Sequence, residues 1–470
     1  MKTVYLFIGL LVCKISTAQD MQSRLSAAMK GLGKDEQFKH ASLSLYVVDS
    51  KTGRIIIDRN SQLGMAPASC QKVITSVTAF ELLGKEYRYK TEFGYSGEIA
   101  GDHLKGSINF TGYGDPSFGS WRYSGNKQAA ILDQVYTAVT EKLKIKSLDA
   151  VYIDNSRWGS QTMPRGWVWE DMGNYYGAGC SSFSWNENQY TIKLKPGKKE
   201  GDKVEIVTFI PYPGISMVNE LTTGPRGSGD QAYIYSSPYA SIGFIRGTVP
   251  AGEDSFFVSG SSTDGAYLFS NALLDKFEKA GITINQGAYS MFNAFMNNQP
   301  YSVFTPGKTL GVFYSPPFDS INYWFLKKSV NLYGEAFVKT MAYEKTGSGD
   351  TDTGISVIRK FWQEKGIERS ALNMLDGSGL SPANRVTTHA LVTVMQFARK
   401  QDWFTSFYNA LPEMNGIKMK DGYISGVRSY TGYVKNKKGE EYTFSFIVNN
   451  FDGSAATVRQ KMWQLLDILK

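Results

Sequence analysis

Histidine is scarce in this sequence, with only His40, His103 and His389 among 470 residues. No H-E-x-x-H string and no paired-cysteine spacing accompanies them, so a zinc centre has little material to build on and no metal or other cofactor is expected. The same scarcity counts against a Ser-His-Asp hydrolase. No G-x-S-x-G elbow occurs, and Asp376-Gly377-Ser378-Gly379 carries its glycines at other offsets. Cysteine is equally sparse. Beyond Cys13 there are only Cys70 and Cys180, far apart in dissimilar surroundings, so two small buried thiols are expected rather than a disulfide. No segment approaches 18 uninterrupted apolar residues, so no membrane span is expected. Basic residues are dispersed without a stripe, which makes nucleic acid a poor candidate partner. Internal repeats and low-complexity segments are lacking too.

What is present belongs to a folded globular protein: 42% of residues are hydrophobic and only 20% charged, which excludes wholesale disorder. A chain of this length is expected to divide into two or three domains. At the N-terminus, Met1-Lys2 precedes an apolar run from Val4 to Val12 and then Ser16-Thr17-Ala18. This order matches a secretory signal cut after Ala18, and the run is too short to span a bilayer. The mature chain is therefore read as exported to the periplasm and soluble. Without Lys2 and Lys14 the formal charge falls from +8 to +6, a surplus that suits attraction to an anionic envelope polymer.

From Ala41 to Val48, Leu43, Leu45 and Val47 alternate with polar or smaller neighbours, and a turn at Asp49 to Gly53 leads into Ile55, Ile56 and Ile57. This predicts a hairpin. Between about Lys90 and Pro300 short β-like runs punctuated by glycine dominate, among them Ser107 to Phe110, Ala150 to Ile153, Tyr190 to Leu194 and Lys203 to Phe209. Asn271 to Ala280 is the clearest helix there. Beyond Thr309 helices return: Val330, Tyr333, Phe337 and Met341 share a face, and Leu391 to Ala398 forms another run. Tyr442, Phe444, Phe446 and Val448 then alternate as a strand, before Val458, Met462, Leu465 and Leu469 mark a C-terminal amphipathic helix. Strands at both ends with helices between them predict one α/β domain interrupted by a β-rich insert.

The chemistry centres on Ala66-Pro67-Ala68-Ser69-Cys70-Gln71-Lys72. Pro67 suits a helix entrance, and Val73, Val77 and Phe80 recur at helical spacing until Gly84. A separation of three residues places Ser69 and Lys72 on one face, so an amine can reach the hydroxyl it must deprotonate. Such a pair needs a proton shuttle, a cation for the substrate carboxylate and donors for the oxyanion. Ser329-Val330-Asn331 offers a hydroxyl and an amide at a helix start. For the cation, Lys51-Thr52-Gly53 reads as the first hairpin turn and Lys345-Thr346-Gly347 as a loop, whereas Lys420-Asp421-Gly422-Tyr423 leads towards the terminal hairpin.

Together with Gly112-Tyr113-Gly114-Asp115-Pro116, Trp169-Glu170-Asp171-Met172, Asp376-Gly377-Ser378-Gly379-Leu380-Ser381 and Tyr430-Thr431-Gly432-Tyr433, these pieces resemble the D-alanyl-D-alanine carboxypeptidase/endopeptidase branch of the class C penicillin-binding proteins. The resemblance covers nearly the whole mature chain. It implies a β-lactamase/transpeptidase-like fold of the α/β (α+β) class, an antiparallel sheet covered by helices. Residues 19–89 and 301–470 would form the discontinuous catalytic domain and residues 90–300 the β-rich insert. It implies Ser69 as nucleophile and Lys72 as general base, with burial and the nearby Lys420 favouring the free amine. Ser329 and Asn331 would relay the proton and hold the substrate backbone, Lys420 with Asp421 and Gly422 would line the carboxylate site, and the N–H groups of Ser69 and Tyr423 would form the oxyanion hole. Asp171 would meet the ammonium of a diaminopimelate residue, unless it is a loop or capping aspartate; Asp115 is read as a turn residue. The implied substrates are peptidoglycan stem peptides, with β-lactam antibiotics as inhibitors. Two other readings keep the same motifs: a catalytically weakened peptidoglycan-binding or scaffolding homologue, which Asp421 in place of the family's Thr or Ser favours, and a β-lactamase-like or esterase hydrolase.

Overall fold

The structure is a computed structural model that describes residues 20–212, 214–262, 264–290 and 307–470. The expected signal segment, residues 1–18, lies outside the described residues, as does the expected domain boundary at residues 300/301. The chain forms two compact units. One holds the described residues up to Leu82 together with Asn322–Ser329 and Ile355–Lys470, and the other holds Leu83–Ile321 and Val330–Gly354.

The first unit is built on a six-stranded sheet in the order Glu413–Met414, Ile417–Ile424, Val427–Lys435, Glu441–Asn449, Ser42–Asp49, Ile55–Arg59. Every neighbouring pair is antiparallel. The two segments whose alternation predicted strands lie side by side at its centre, Leu45 opposite Phe446 and Val47 opposite Phe444. Because side chains alternate across a strand, these residues all face one side, where they join Leu25 and Met29 of the helical residues 20–32 and Val458, Met462 and Leu465 of the Ala455–Leu466 helix in one core. The opposite face carries Tyr46 and Val48, packed on Val392 of the Thr388–Ala398 helix. Helices thus cover both faces. The turn at Lys51-Thr52-Gly53 is held by Asp49, whose Oδ1 accepts from the backbone N–H groups of Lys51 at 3.0 Å and Thr52 at 2.8 Å, so that lysine belongs to a surface hairpin.

The second unit contains a five-stranded mixed sheet in the order Thr283–Ser290, Ser147–Asp154, His103–Gly112, Lys90–Ala100, Lys308–Tyr314. His103–Gly112 and Ser147–Asp154 run parallel, which demands a crossover, and the Gln128–Thr137 helix lies within it. That helix was not expected from the sequence. The predicted helix at Asn271 to Ala280 begins earlier, at Gly265, because Asp264 caps it by accepting from the Tyr267 N–H at 3.1 Å. Phe110, Phe118, Phe183, Trp185 and Phe269 fill the core beneath. Two three-stranded sheets complete the unit and share a smaller core around Ile192, Leu221, Ile234 and Ile245. The second unit is therefore rich in strands, with a helix-covered sheet inside it. In the Asn331–Thr346 helix, Lys345 and Thr346 form the last turn and Gly347 ends it in the left-handed conformation at φ 79°. The loop expected at Lys345 starts only with that glycine, which alone accepts the reversal without strain. Among the described residues no helix is long and apolar enough to cross a membrane, and no cluster of three metal-ligating side chains occurs.

Candidate active site

Ser69 sits in a single tight turn, Ala68–Gln71, which runs directly into the Lys72–Leu83 helix. Ala68 just before it is held at φ 44°, a left-handed conformation that costs a side-chain-bearing residue about 1–3 kcal/mol and persists only where its surroundings impose it. Lys72 is fully buried, and its Nζ donates to Ser69 Oγ at 2.9 Å and to the carbonyl of Ser378 at 2.7 Å. Ser69 itself is half-buried. The structure therefore brings the expected nucleophile and base together at the distance a proton transfer would need.

The Ser378 carbonyl is set by a turn organised around buried Asp376. Its carboxylate accepts from the N–H groups of Gly379 at 2.8 Å and Ser381 at 2.7 Å, from Asn384 Nδ2 at 2.9 Å and from Gln71 Nε2 at 2.9 Å. Thr75 Oγ1 also donates to the Gly377 carbonyl at 2.7 Å. Gln71 and Thr75 come from the turn and helix that bear Ser69 and Lys72, so the Asp376 loop is tied to that pair on both sides. No role had been assigned to Asp376, Ser378 or Gln71 beyond their place in a motif; the signal was the string of short polar and glycine residues between Asp376 and Asn384, which suits a tightly bonded turn.

Lys420, Asp421, Gly422 and Tyr423 lie on the Ile417–Ile424 strand, which pairs with Glu413–Met414 only through Ile417 and Lys418. Gly422 is where this strand meets the serine turn. A Cβ there would drive into the Ser429 hydroxyl and stand 2.6 Å from the Pro67 carbonyl and 2.9 Å from the Ser69 nitrogen. Only glycine allows that approach. Cys70 reinforces the contact, its Sγ donating to the Lys420 carbonyl at 3.2 Å. Burial pushes that thiol up to about 11, so it stays protonated; both Cys70 and Cys180 are buried and free.

Lys420 is buried, and its Nζ donates to Asp421 Oδ1 and to the Asp421 carbonyl, each at 2.8 Å. Burial raises the Asp421 carboxyl, yet the Lys420 ammonium outweighs it and holds the group below the ordinary carboxylate range. Asp421 is thus an ionised partner of Lys420. Ser329 closes the Asn322–Ser329 segment of the same unit and is held at φ 56°, a second left-handed residue. That segment packs on the Lys72 helix through Asn322, whose Oδ1 accepts from Ser76 Oγ at 2.7 Å, and Phe325, whose ring centroid is 5.8 Å from Lys72 Nζ.

Asn331 and Asp171 belong to the second unit, where Tyr176 links them. Asn331 Nδ2 donates to the Tyr176 carbonyl at 2.8 Å, and the Tyr176 hydroxyl bonds to the Asp171 carboxylate. Burial pushes the Asp171 carboxyl up to about 6, opposed by the Tyr176 hydrogen bond and reinforced by Glu170. Tyr176 had not been singled out. Asp115 is the turn residue expected: buried, it accepts from the Ser117 N–H at 2.8 Å and Ser117 Oγ at 2.6 Å.

A serine hydroxyl bonded to a buried lysine amine, on a turn pressed against a strand of an antiparallel sheet covered by helices on both faces, defines the Ser-Lys acyl-transfer proteins of the penicillin-recognising fold. Within that class the chain belongs to the D-Ala-D-Ala carboxypeptidase 3 (S13) family, which matches residues 25–469. It is 24% identical over 454 residues to the D-alanyl-D-alanine carboxypeptidase of Actinomadura sp. (strain R39), spanning 90% of this chain and 80% of that one. To the D-alanyl-D-alanine carboxypeptidase DacB of Haemophilus influenzae it is 23% identical, over 85% of this chain and 83% of that protein. The crystal structure of penicillin binding protein 4 (dacB) from Haemophilus influenzae matches with a TM-score of 0.78 at 19% identity, covering 95% of this chain and 99% of that one, which establishes the shared fold.

Proposed function

We propose that the protein is an exported, periplasmic serine D-Ala-D-Ala carboxypeptidase, able also to cut D-alanyl-diaminopimelate cross-links, acting on peptidoglycan stem peptides and acylated by β-lactams. The observation that carries this reading is the 2.9 Å bond from Lys72 Nζ to Ser69 Oγ, beside a glycine that brings the Lys420 strand onto the Ser69 nitrogen. The family adds the substrate class. The Haemophilus influenzae relative has also been solved in complex with a β-lactam.

In this mechanism Lys72, as free amine, takes the Ser69 proton while Oγ attacks the carbonyl carbon of the scissile D-Ala-D-Ala bond. The backbone N–H groups of Ser69 and Tyr423 hold the developing oxyanion. The proton passes to the leaving amine by way of the Ser329 hydroxyl while the Asn331 amide holds the substrate backbone, and water then hydrolyses the ester on Ser69 by the reverse sequence. Lys420 attracts the terminal carboxylate. Asp171 reads the diaminopimelate ammonium by a charge-assisted hydrogen bond.

The pairing of Asp421 with Lys420 favours one rival, a weakened homologue that binds peptidoglycan without turnover, because it satisfies the cation that the substrate carboxylate must reach. Labelling with a fluorescent penicillin separates the readings. Stable labelling, abolished by Ser69→Ala with thermal stability nearly unchanged, is expected. A Ser69→Ala protein that still forms an acyl-enzyme sinks the assignment, absence of labelling in the wild type supports the weakened homologue, and rapid turnover of the label supports a β-lactamase-like hydrolase.

A further inference from the structure

The Gly112-Tyr113-Gly114-Asp115-Pro116 turn takes no part in the acyl-transfer site, yet it builds a pocket in the second unit. The cavity of about 210 Å³ is walled by Arg88, Lys90, Tyr113, Arg157, Trp158 and Tyr343. Gly114 is held at φ 91°, and a Cβ on it or on Gly349 would drive into the Trp158 indole, so two glycines seat that wall. The Tyr113 ring carries two cations, Arg157 Cζ at 4.0 Å and Lys90 Nζ at 4.2 Å from its centroid.

Carboxylates nearby are largely committed. Glu92 accepts from Lys90 Nζ at 2.7 Å through one oxygen and from the Tyr113 hydroxyl at 2.6 Å through the other. Glu344, exposed at the rim, accepts from Tyr87 at 3.1 Å. Among the described residues neither arginine is hydrogen-bonded to a carboxylate, although the Arg157 charge also acts on Glu92. Arg88 Nη1 donates to the Ser315 carbonyl at 2.8 Å and Arg157 Nη1 to the Tyr343 hydroxyl at 2.8 Å, while Arg157 Nε is buried and, among the described residues, has no hydrogen-bond partner. Three cations against two carboxylates leave a surplus of one positive charge, carried by guanidinium groups suited to planar oxyanions.

We propose that this pocket is a second binding site, for the terminal carboxylate of a peptide fragment, built without any residue of the Ser69 site. Its volume is below the roughly 300–1,000 Å³ of pockets that enclose a whole small ligand, so it takes the end of a longer molecule. The chemistry stands on the pocket alone; a peptidoglycan stem peptide as its natural source rests on the proposed function. Under that function the site would hold a product or a neighbouring strand while Ser69 turns over.

The test is calorimetric titration of the full chain after acylation by benzylpenicillin, verified by mass, so that the Ser69 site is occupied. N-acetyl-D-alanine is expected to bind, N-acetyl-D-alaninamide not to, and Arg157→Gln or Arg88→Gln to weaken binding about tenfold, the loss of one favourable ion contact. Normal penicillin labelling of both variants confirms that they fold. Absence of binding, equal binding of the amide, or unchanged affinity in both variants overturns the site, and binding of inorganic phosphate alone overturns its assignment to carboxylate. Failure of benzylpenicillin to acylate would count against the proposed function instead, and comparing Arg157→Gln with wild type on unacylated protein would then decide the pocket.

Discussion

Lys339 in the second unit and Lys72 in the first are both buried and both donate to backbone carbonyls, and they differ in what else they bond to. Lys339, on the Asn331–Thr346 helix of the second unit, donates to the carbonyls of Gln161 at 2.5 Å and Cys180 at 3.0 Å. Lys72, in the first unit, donates to the Ser378 carbonyl at 2.7 Å and also to a half-buried serine hydroxyl at 2.9 Å. Burial lowers the Lys339 pKa, opposed by Cys180, Glu335 and Asp350, and its two bonds go to backbone carbonyls rather than to a hydroxyl. A buried lysine bonded only to carbonyls acts as a staple; one that also bonds to a half-buried hydroxyl is placed to act as the proposed base. The same contrast separates Glu187, fully buried and bonded to Arg122 at 2.7 Å and Tyr333 at 2.7 Å, from Asp171, partly exposed beside Tyr176.

Replacing each lysine by methionine tests this contrast most severely. Lys72→Met is expected to lower the rate of penicillin acylation by about 10²–10⁴-fold, the usual contribution of a positioned proton acceptor. Lys339→Met should leave acylation unchanged and cost about 1–3 kcal/mol in denaturant unfolding, because two buried carbonyls lose their donor. Equal loss of acylation in both variants would break the distinction between staple and base.

Gly422→Ala comes next. The added Cβ meets the Ser429 hydroxyl, the Pro67 carbonyl and the Ser69 nitrogen, so the strand must withdraw from the serine turn. The expected loss in acylation rate is about 10²–10³-fold, the range for losing one oxyanion donor. A variant that acylates at the wild-type rate would show that the close approach is packing alone.

This glycine marks how far the sequence could be read. The strands around Leu45 and Phe446, the Ser69 turn and the C-terminal helix were legible because local alternation and spacing specify them. Gly422 could be placed on the right strand, but the need for glycine there comes from a contact with Pro67 and Ser69, some 350 residues away in sequence. The Asp376 loop escaped for the same reason: the group it presents to Lys72 is the backbone carbonyl of Ser378, and side-chain identity does not reveal a carbonyl's direction. The Gln128–Thr137 helix was missed because only Ile131 and Val135 of it are buried, too few for a clear period.

Asp171 sharpens the contrast at smaller scale. With its carboxyl pushed up to about 6, it is ionised at neutral pH and protonates as the pH falls through that value. Recognition of an ammonium should therefore weaken about tenfold from pH 7.5 to pH 5 for diaminopimelate-containing peptides, but not for a small β-lactam lacking that group. Asp171→Asn should flatten this difference. Stability runs the other way: a raised carboxyl favours the folded state fully below the ordinary value of 3.8, and the benefit is lost as pH rises through about 6. Asp171→Asn should remove that slope from thermal melts between these limits. Equal losses on both substrates, with the slope retained, would make Asp171 structural.

The smallest expected effect belongs to Asp421, and it is a gain. Lys420 is buried and already bonded to an ionised carboxylate at 2.8 Å, so a substrate carboxylate arriving beside it meets repulsion from Asp421 and a cation already half neutralised. Threonine keeps a hydroxyl for the incoming carboxylate and removes the charge, while the backbone N–H of Tyr423 stays in place. Asp421→Thr should therefore raise the acylation rate by terminal D-Ala-D-Ala peptides several-fold, up to about tenfold or roughly 1.4 kcal/mol. Because Lys420 holds the Asp421 carboxyl below its usual range, the gain should be constant across neutral pH and shrink only as acid begins to protonate the aspartate. Partial exposure of Asp421 also makes added salt narrow the difference between the two proteins. Acylation rates measured across pH and salt decide the matter. Identical profiles would remove Asp421 from the carboxylate site, and a slower threonine variant would mean that the aspartate serves to hold Lys420 in place.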